Sequence, residues 1–257
     1  MPTGRSLLNY ERVYIGGYDM SGYTSDAGER GVDYARHNSL CLGDAVAGAL
    51  VGKPDAVFGP LNGVFDSTPS SGLHVLADAA KGTTQNIMLM RGVRAVPAVG
   101  DDAFCGPFLQ TVYTTGQGDV VTAKLEFEYD AAAALLYDEL FGQVVHAFAS
   151  ETGANASNTP NVNNGAASAA GGWLMYQIRS ITGAGTVTVS IDDSANGTSW
   201  LALSGATSGA IATASAPTSG IVQLATNATV RQYLRHQIAF GGSATACTFA
   251  LAFMRGR

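Results

Sequence analysis

Four histidines, three cysteines and one acidic turn are the residues of this chain whose types could do chemistry. His37, His74, His146 and His236 fall in different segments. No HExxH, GxSxG or phosphate-loop pattern surrounds them, so each reads as a surface residue or a satisfied core residue. Cys41, Cys105 and Cys247 are odd in number and far apart, with no CxxC, which argues against a zinc cluster or a disulfide framework. Cys247 falls on the apolar face of a predicted strand and reads as a buried free thiol in a reducing compartment. IDDSANG (191–197) has the look of a calcium loop but lacks the alternating ligands and closing Glu of an EF-hand. It reads as a strand end plus a hairpin turn. Asn155, Asn196 and Asn227 match glycosylation acceptors, but the N-terminus has no basic segment followed by an apolar run, so chance explains them. The expectation is therefore no catalytic, cofactor-binding or metal-binding residues, no cofactor, and no enzymatic activity.

Three other sets are suited to contact. Trp173, Tyr176, Trp200 and Tyr233 could form a sugar-stacking platform, or simply core, and Trp200 with Leu201 and Leu203 reads as a core anchor. Arg231, Tyr233 and Arg235 share one side of a predicted strand, either as a solvated face or as an inter-subunit contact. In DVVTAKLEFEYD (119–130), Val121, Ala123, Leu125, Phe127 and Tyr129 alternate with Thr122, Lys124, Glu126 and Glu128. That pattern puts an apolar side on a core and a charged side elsewhere.

The elements that must position these residues are mostly strands. RVYIGGY (12–18) is a strand broken at Gly16-Gly17, and MSGYTSDAGERGVDY reads as a long polar loop. DAVAGALVG (44–52) reads as a short apolar helix or turn, and 55–66 as extended. SSGLHVLADAAKG (70–82) reads as a helix capped by Ser70 or Ser71 and ended by Gly82. Strands follow at 86–96, 102–115 and 120–129, the last two joined by a GQGD turn. Asp130 and the alanines after it predict a second helix, passing into a β-like VVHAF. Residues 149–172 have no periodicity and read as a loop, linker or exposed arm. From 173 to 257, six short segments with turn signals between them predict a β-sandwich. On the last of them Cys247, Phe249, Leu251 and Phe253 form one face, and the small Thr248, Ala250 and Ala252 the other, suited to close sheet packing or an interface. Both halves end in two amphipathic strands joined by a glycine-containing turn, a topological hint of a tandem repeat. The fold class is mainly β, a β-sandwich or barrel with one or two short helices and long loops. The units are 1–130, a helix and linker over 131–172, and 173–257; the last two could complete a second domain.

Composition narrows the role. The 257 residues are enough for a sizeable core, and 46% are hydrophobic, so the chain is not disordered. Only 13% are charged, about half the usual ~25%. Little charge among many small residues points to surface buried against other subunits. A net charge of −6 argues against gripping nucleic acid by counterion release. No run of about 18 apolar residues occurs, so no membrane span is expected.

YERVYIGGYDMSGYT, VFGPLNGVFD, SANGTSW with SGIVQLATNATVRQYLRHQIAF, and TFALAFMRGR together resemble virion proteins of tailed bacteriophages. The pattern is most similar to the major tail (tail tube) proteins of long-tailed phages. The resemblance implies a non-enzymatic subunit that forms rings of six, or of three if two tube domains are fused in one chain. The rings stack into a hollow tube with other tail proteins, and DNA passes through without specific binding. It implies a place in the virion tail after synthesis in the host cytoplasm. On this resemblance Thr122, Lys124, Glu126 and Glu128 line the channel, where acidic groups repel phosphate; the ordinary alternative is a solvated sheet face. The N-terminal segment, residues 20–36 and residues 149–172 become ring-to-ring contacts. A head decoration protein and a carbohydrate-binding β-sandwich are the competing readings.

Overall fold

The computed structural model describes residues 10–39, 48–94, 96–133, 135–153 and 161–257. In chain order the elements are β1 (Glu11–Ile15), β2 (Tyr18–Asp19), β3 (Thr24–Asp26), β4 (Arg30–Ser39), β5 (Gly48–Phe58), β6 (Leu61–Val64), α1 (Leu73–Ala80), β7 (Thr84–Arg91), β8 (Asp102–Gly116) and β9 (Thr122–Tyr129). The second half holds β10 (Phe141–Thr152), β11 (Val162–Asn163), β12 (Gly172–Thr182), β13 (Gly185–Ser194), β14 (Leu201–Thr207), β15 (Ile211–Ala212), β16 (Thr218–Gln223), β17 (Tyr233–Gly242) and β18 (Ala246–Arg255). Among the described residues the protein is mainly β with one short α-helix, as expected.

One large antiparallel sheet runs in the order β16-β12-β18-β10-β8-β7-β1-β2. It branches at β8. The start of this long strand pairs with β10, and the rest of the same edge pairs with β9, which leads on to β6 and β3. The sheet curls round a first core built from Ile87, Phe104, Phe108, Leu125, Phe127, Trp173 and Met175, among others. The second sheet, β11-β17-β13-β14 with β15 beside β13, packs on the back of β12, β18 and β10. Val187, Val189, Ile191 and Ile238 meet Leu174, Ile178, Phe249 and Leu251 there in a second core. Strands from residues 1–130 and from 173–257 share the large sheet. No closed barrel occurs among the described residues.

Strands β12 and β18 are buried on both faces because they lie between the two cores. This explains why they read as nearly unbroken apolar runs rather than as alternations. Ala250 and Ala252, the small face of β18, are fully buried against the first core, so the close-packing reading holds. The predicted parallel between the two chain halves does not: β8 and β9 pair with each other, whereas β17 and β18 belong to different sheets.

Several local expectations are corrected. The polar stretch after Asp19 forms β3 and β4 rather than a loop. Residues 48–52 are strand, while 44–47 lie outside the described residues, as do 1–9 and 154–160. Helix α1 forms as predicted, with Leu73 and Ala77 buried one turn apart, but its N-cap is Gly72. A Cβ at Gly72 would lie 2.5 Å from the Asp66 carbonyl and 2.6 Å from the Thr68 nitrogen, so a capping serine has no room there. The second predicted helix is a single 3-10 turn, Ala131–Ala133. Asp130 accepts the Ala132 amide at 2.8 Å as a cap would, yet the chain beyond is committed elsewhere. The Leu136 amide donates to Gln223 at 2.6 Å, the Glu139 carbonyl accepts Trp173 Nε1 at 2.9 Å, and Tyr137 reaches the Leu224 carbonyl. Long-range hydrogen bonds and the packing of Leu135, Tyr137 and Leu140 on the first core outweigh the helix propensity of the alanines.

The long hairpin β4–β5 stands apart. Its strands run ten and eleven residues and pair only with each other among the described residues. At ~3.3 Å per residue that is an arm of roughly 30 Å. Its base is anchored: Phe58 is buried in the first core, with Val32 and Ala56 packed against it. Arg30, largely buried, holds the buried Glu11 carboxylate of β1 at 2.5 Å. Tyr34 and Val57 are exposed.

Candidate functional site

The outer face of β9 forms as the alternation predicts. Ala123, Leu125 and Phe127 are buried, Thr122, Lys124 and Glu128 are exposed, and Glu126 is half-buried. Val121 lies before the strand and is exposed, contrary to expectation. Lys124 Nζ lies 2.5 Å from Glu126 Oε1, so the two largely cancel and Glu128 carries the residual negative charge of the row. Asn62 on β6 pairs with Lys124, and its amide reaches Asp26 at 3.4 Å, adding a second carboxylate at the far side.

Tyr233 and Arg235 share the outer face of β17, while Arg231 precedes the strand. Both arginines are held by the acidic pair that ends β13. Arg231 donates to Asp193 through Nη1 at 2.8 Å and through its backbone amide at 2.9 Å. Arg235 donates Nε and Nη2 to Asp192 Oδ2 at 3.0 and 2.8 Å, and Gln237 adds a third donor at 2.9 Å. The IDDSANG stretch is thus a strand end and turn whose carboxylates are engaged by arginine guanidinium groups. Ser194 and Asn196 close the turn on backbone amides, with Gly197 at φ +73°.

The aromatic platform does not form. Trp173 is fully buried in the first core, and Tyr176 packs against the second. Trp200 is half-buried under the Arg235 guanidinium, 4.5 Å from ring centre, so it is a cation–π partner rather than a core anchor.

Two histidines that the sequence separates by 90 positions come together. His146 on β10 and His236 on β17 meet edge to face, ring centroids 4.4 Å apart, across the gap between the sheets. Glu151 Oε1 lies 3.0 Å from His146 Nε2 and 3.4 Å from His236 Nε2. His146 Nδ1 lies 3.2 Å from the Phe249 carbonyl, and its ring stacks on Phe249 at 4.0 Å. Burial pushes both imidazoles down to about 4, with mutual repulsion adding to the shift at His236. Neither nitrogen of His236 has a hydrogen bond among the described residues, and the 3.4 Å approach to Glu151 lacks hydrogen-bond geometry. His146 and Glu151 are five apart, which in a regular strand sets them on opposite faces. A bulge between His146 and Ala149 adds a residue to β10 and turns both to the same side. No periodicity in the sequence announces that bulge.

His74 Nδ1 bonds the Tyr113 hydroxyl at 2.7 Å, and His37 lies on β4. Cys105 and Cys247 are free and buried, and burial pushes the Cys247 thiol up to about 12. Cys41 and Asn155 lie outside the described residues. No described helix is long and apolar enough to cross a membrane.

The class defined here is an antiparallel β-sandwich protein with two cores and a projecting hairpin. No family model matches the chain, and no curated protein matches it. Among solved structures it is similar to the SPP1 Dit (gp 19.1) protein, described as a hub of the adsorption apparatus in phages that infect Gram-positive bacteria. That match has 9% identity and a TM-score of 0.31, covering 93% of this chain and 98% of that one. It is also similar to a chain of the phage P2 baseplate in its activated conformation with Ca, at 7% identity and a TM-score of 0.32, covering 96% and 98%. Superpositions this loose assign neither a role nor a partner.

Proposed function

We propose that the chain is a structural subunit of a tailed-phage virion, built to assemble with copies of itself and with other tail proteins and to catalyse no reaction. The observation that carries the reading is the β4–β5 arm. An isolated two-stranded hairpin is marginal in water, and a strand pair of this length whose outer edges are unpaired among the described residues offers backbone donors and acceptors to a neighbour. A chain that keeps such an arm gains most from it in an assembly, where the neighbour completes the sheet. The low charge content and the sequence resemblance to phage tail proteins support the same reading.

Within that class the finer reading is a tube subunit whose rings stack into a conduit for DNA. The unlike pairing of the terminal strands in the two halves favours one unit per chain, hence six chains per ring rather than three. The β9 row is the candidate channel lining, and Tyr233 the part of the Arg231, Tyr233 and Arg235 set left to meet a neighbour. A test is the solution mass of the full chain beside a variant in which residues 36–53 are replaced by a short turn. Tyr34 and Pro54 still close the strand pair, and Val32, Ala56 and Phe58 still anchor it. The variant is expected to remain folded and to lose self-association. Equal association of both chains would remove the arm from the account.

A further inference from the structure

We propose that His146, Glu151 and His236 form a zinc site that clips the two sheets together. Three features of the cluster point to it.

The first is geometric. Zinc holds imidazole nitrogen and carboxylate oxygen at about 2.0–2.1 Å in a tetrahedron, which sets neighbouring ligand atoms roughly 3.3 Å apart. The Glu151 oxygen lies 3.0 and 3.4 Å from the two Nε2 atoms, and the ligand atoms of all three residues fall within 4.8 Å of one another.

The second is a matter of hydrogen positions. A neutral His146 must carry its hydrogen on Nδ1 to bond the Phe249 carbonyl. Its Nε2 lone pair then faces a carboxylate oxygen at 3.0 Å, acceptor against acceptor. A cation between them removes the conflict, and a carbonyl on the far nitrogen is the usual orienting partner of a metal-bound imidazole.

The third is His236. Its side chain is only 5% exposed, and neither nitrogen is satisfied. A buried imidazole without partners costs stability unless something binds it.

Two nitrogens and one carboxylate suit zinc and not calcium or magnesium, which take oxygen ligands. Glu151 is 22% exposed and opens the site to solvent, leaving a fourth position for water. Because His146 and Glu151 lie on β10 and His236 on β17, the ion would bridge the sheets and act as a structural staple. This inference does not depend on the assembly role.

The test uses the full chain, stripped with chelator and titrated with zinc. We expect one equivalent bound per chain and a thermal midpoint raised by about 5–10 °C at a hundredfold excess over Kd. Glu151→Gln and His236→Asn should each weaken binding at least about tenfold, to judge from how metal sites respond to such losses. Cobalt(II) in the wild-type chain should give the intense visible absorption of a four-coordinate site, a readout that does not depend on either variant folding. Absence of stoichiometric binding by the folded wild-type chain, a weak six-coordinate cobalt spectrum, or unchanged binding in both variants would overturn the proposal.

Discussion

Gln177, fully buried on β12, receives the Gly17 amide on its side-chain oxygen at 2.7 Å, across 160 residues of chain. Its Nε2 donates to the Asn86 carbonyl at 2.8 Å, so one amide ties the β1–β2 turn and the start of β7 to the central sheet. Arg179 lies over Tyr18 nearby, 4.7 Å from its ring centre. Gly17 sits at φ +87°, and a Cβ there would strike the Ile178 carbonyl and lie 2.6 Å from the Thr218 nitrogen. The Gly16-Gly17 break in RVYIGGY is therefore a docking point, not merely a turn.

Gln177→Ala leaves a buried amide and carbonyl unpaired. It should cost about 1–3 kcal/mol, read as a lowered urea midpoint. Gly17→Ala should cost at least as much, because strain and collision act together.

Asp192 accepts three hydrogen bonds, and Arg235, its main partner, has a side chain only 11% exposed. Asp192→Ala strands that cation over Trp200, and a loss of roughly 3 kcal/mol is expected. Arg235→Lys should recover only part of the wild-type midpoint, since lysine cannot make the two-donor contact.

Sequence alone carried most strands, helix α1, the alternation of β9 and the acidic turn, because each is dictated by neighbours within about ten residues. What it did not carry is set at long range. The alanines after Asp130 read as helix, but Gln223, Trp173 and Leu224 claim that backbone. Trp173 and Tyr176 could not be placed inside or outside without knowing that β12 lies between two cores. The His146–His236 meeting needs both a bulge and a second sheet, neither of which leaves a periodic trace.

The β9 row is exposed and its charges are nearly balanced. Replacing Glu126 and Glu128 with Lys should shift stability by less than about 0.5 kcal/mol, checked by thermal melting. If the row lines the channel, particles carrying both changes should assemble and eject DNA more slowly, because the channel wall would then attract phosphate. Wild-type ejection rates would remove the row from the channel.

Cys105 and Cys247 are buried, and their thiols are held protonated by desolvation. With Cys41 replaced by Ser, the native chain should take up no thiol reagent near neutral pH, and two equivalents once unfolded in denaturant. Mass spectrometry of the labelled chain reads this directly, and rapid labelling of the native form would contradict the packing of β8 and β18.

Assembly is the central claim. The most direct test is electron microscopy of the purified chain at rising concentration, with its mass in solution measured alongside. Rings of six chains, stacking into hollow tubes as concentration rises, are the predicted result. A chain that remains monomeric at every concentration would contradict it.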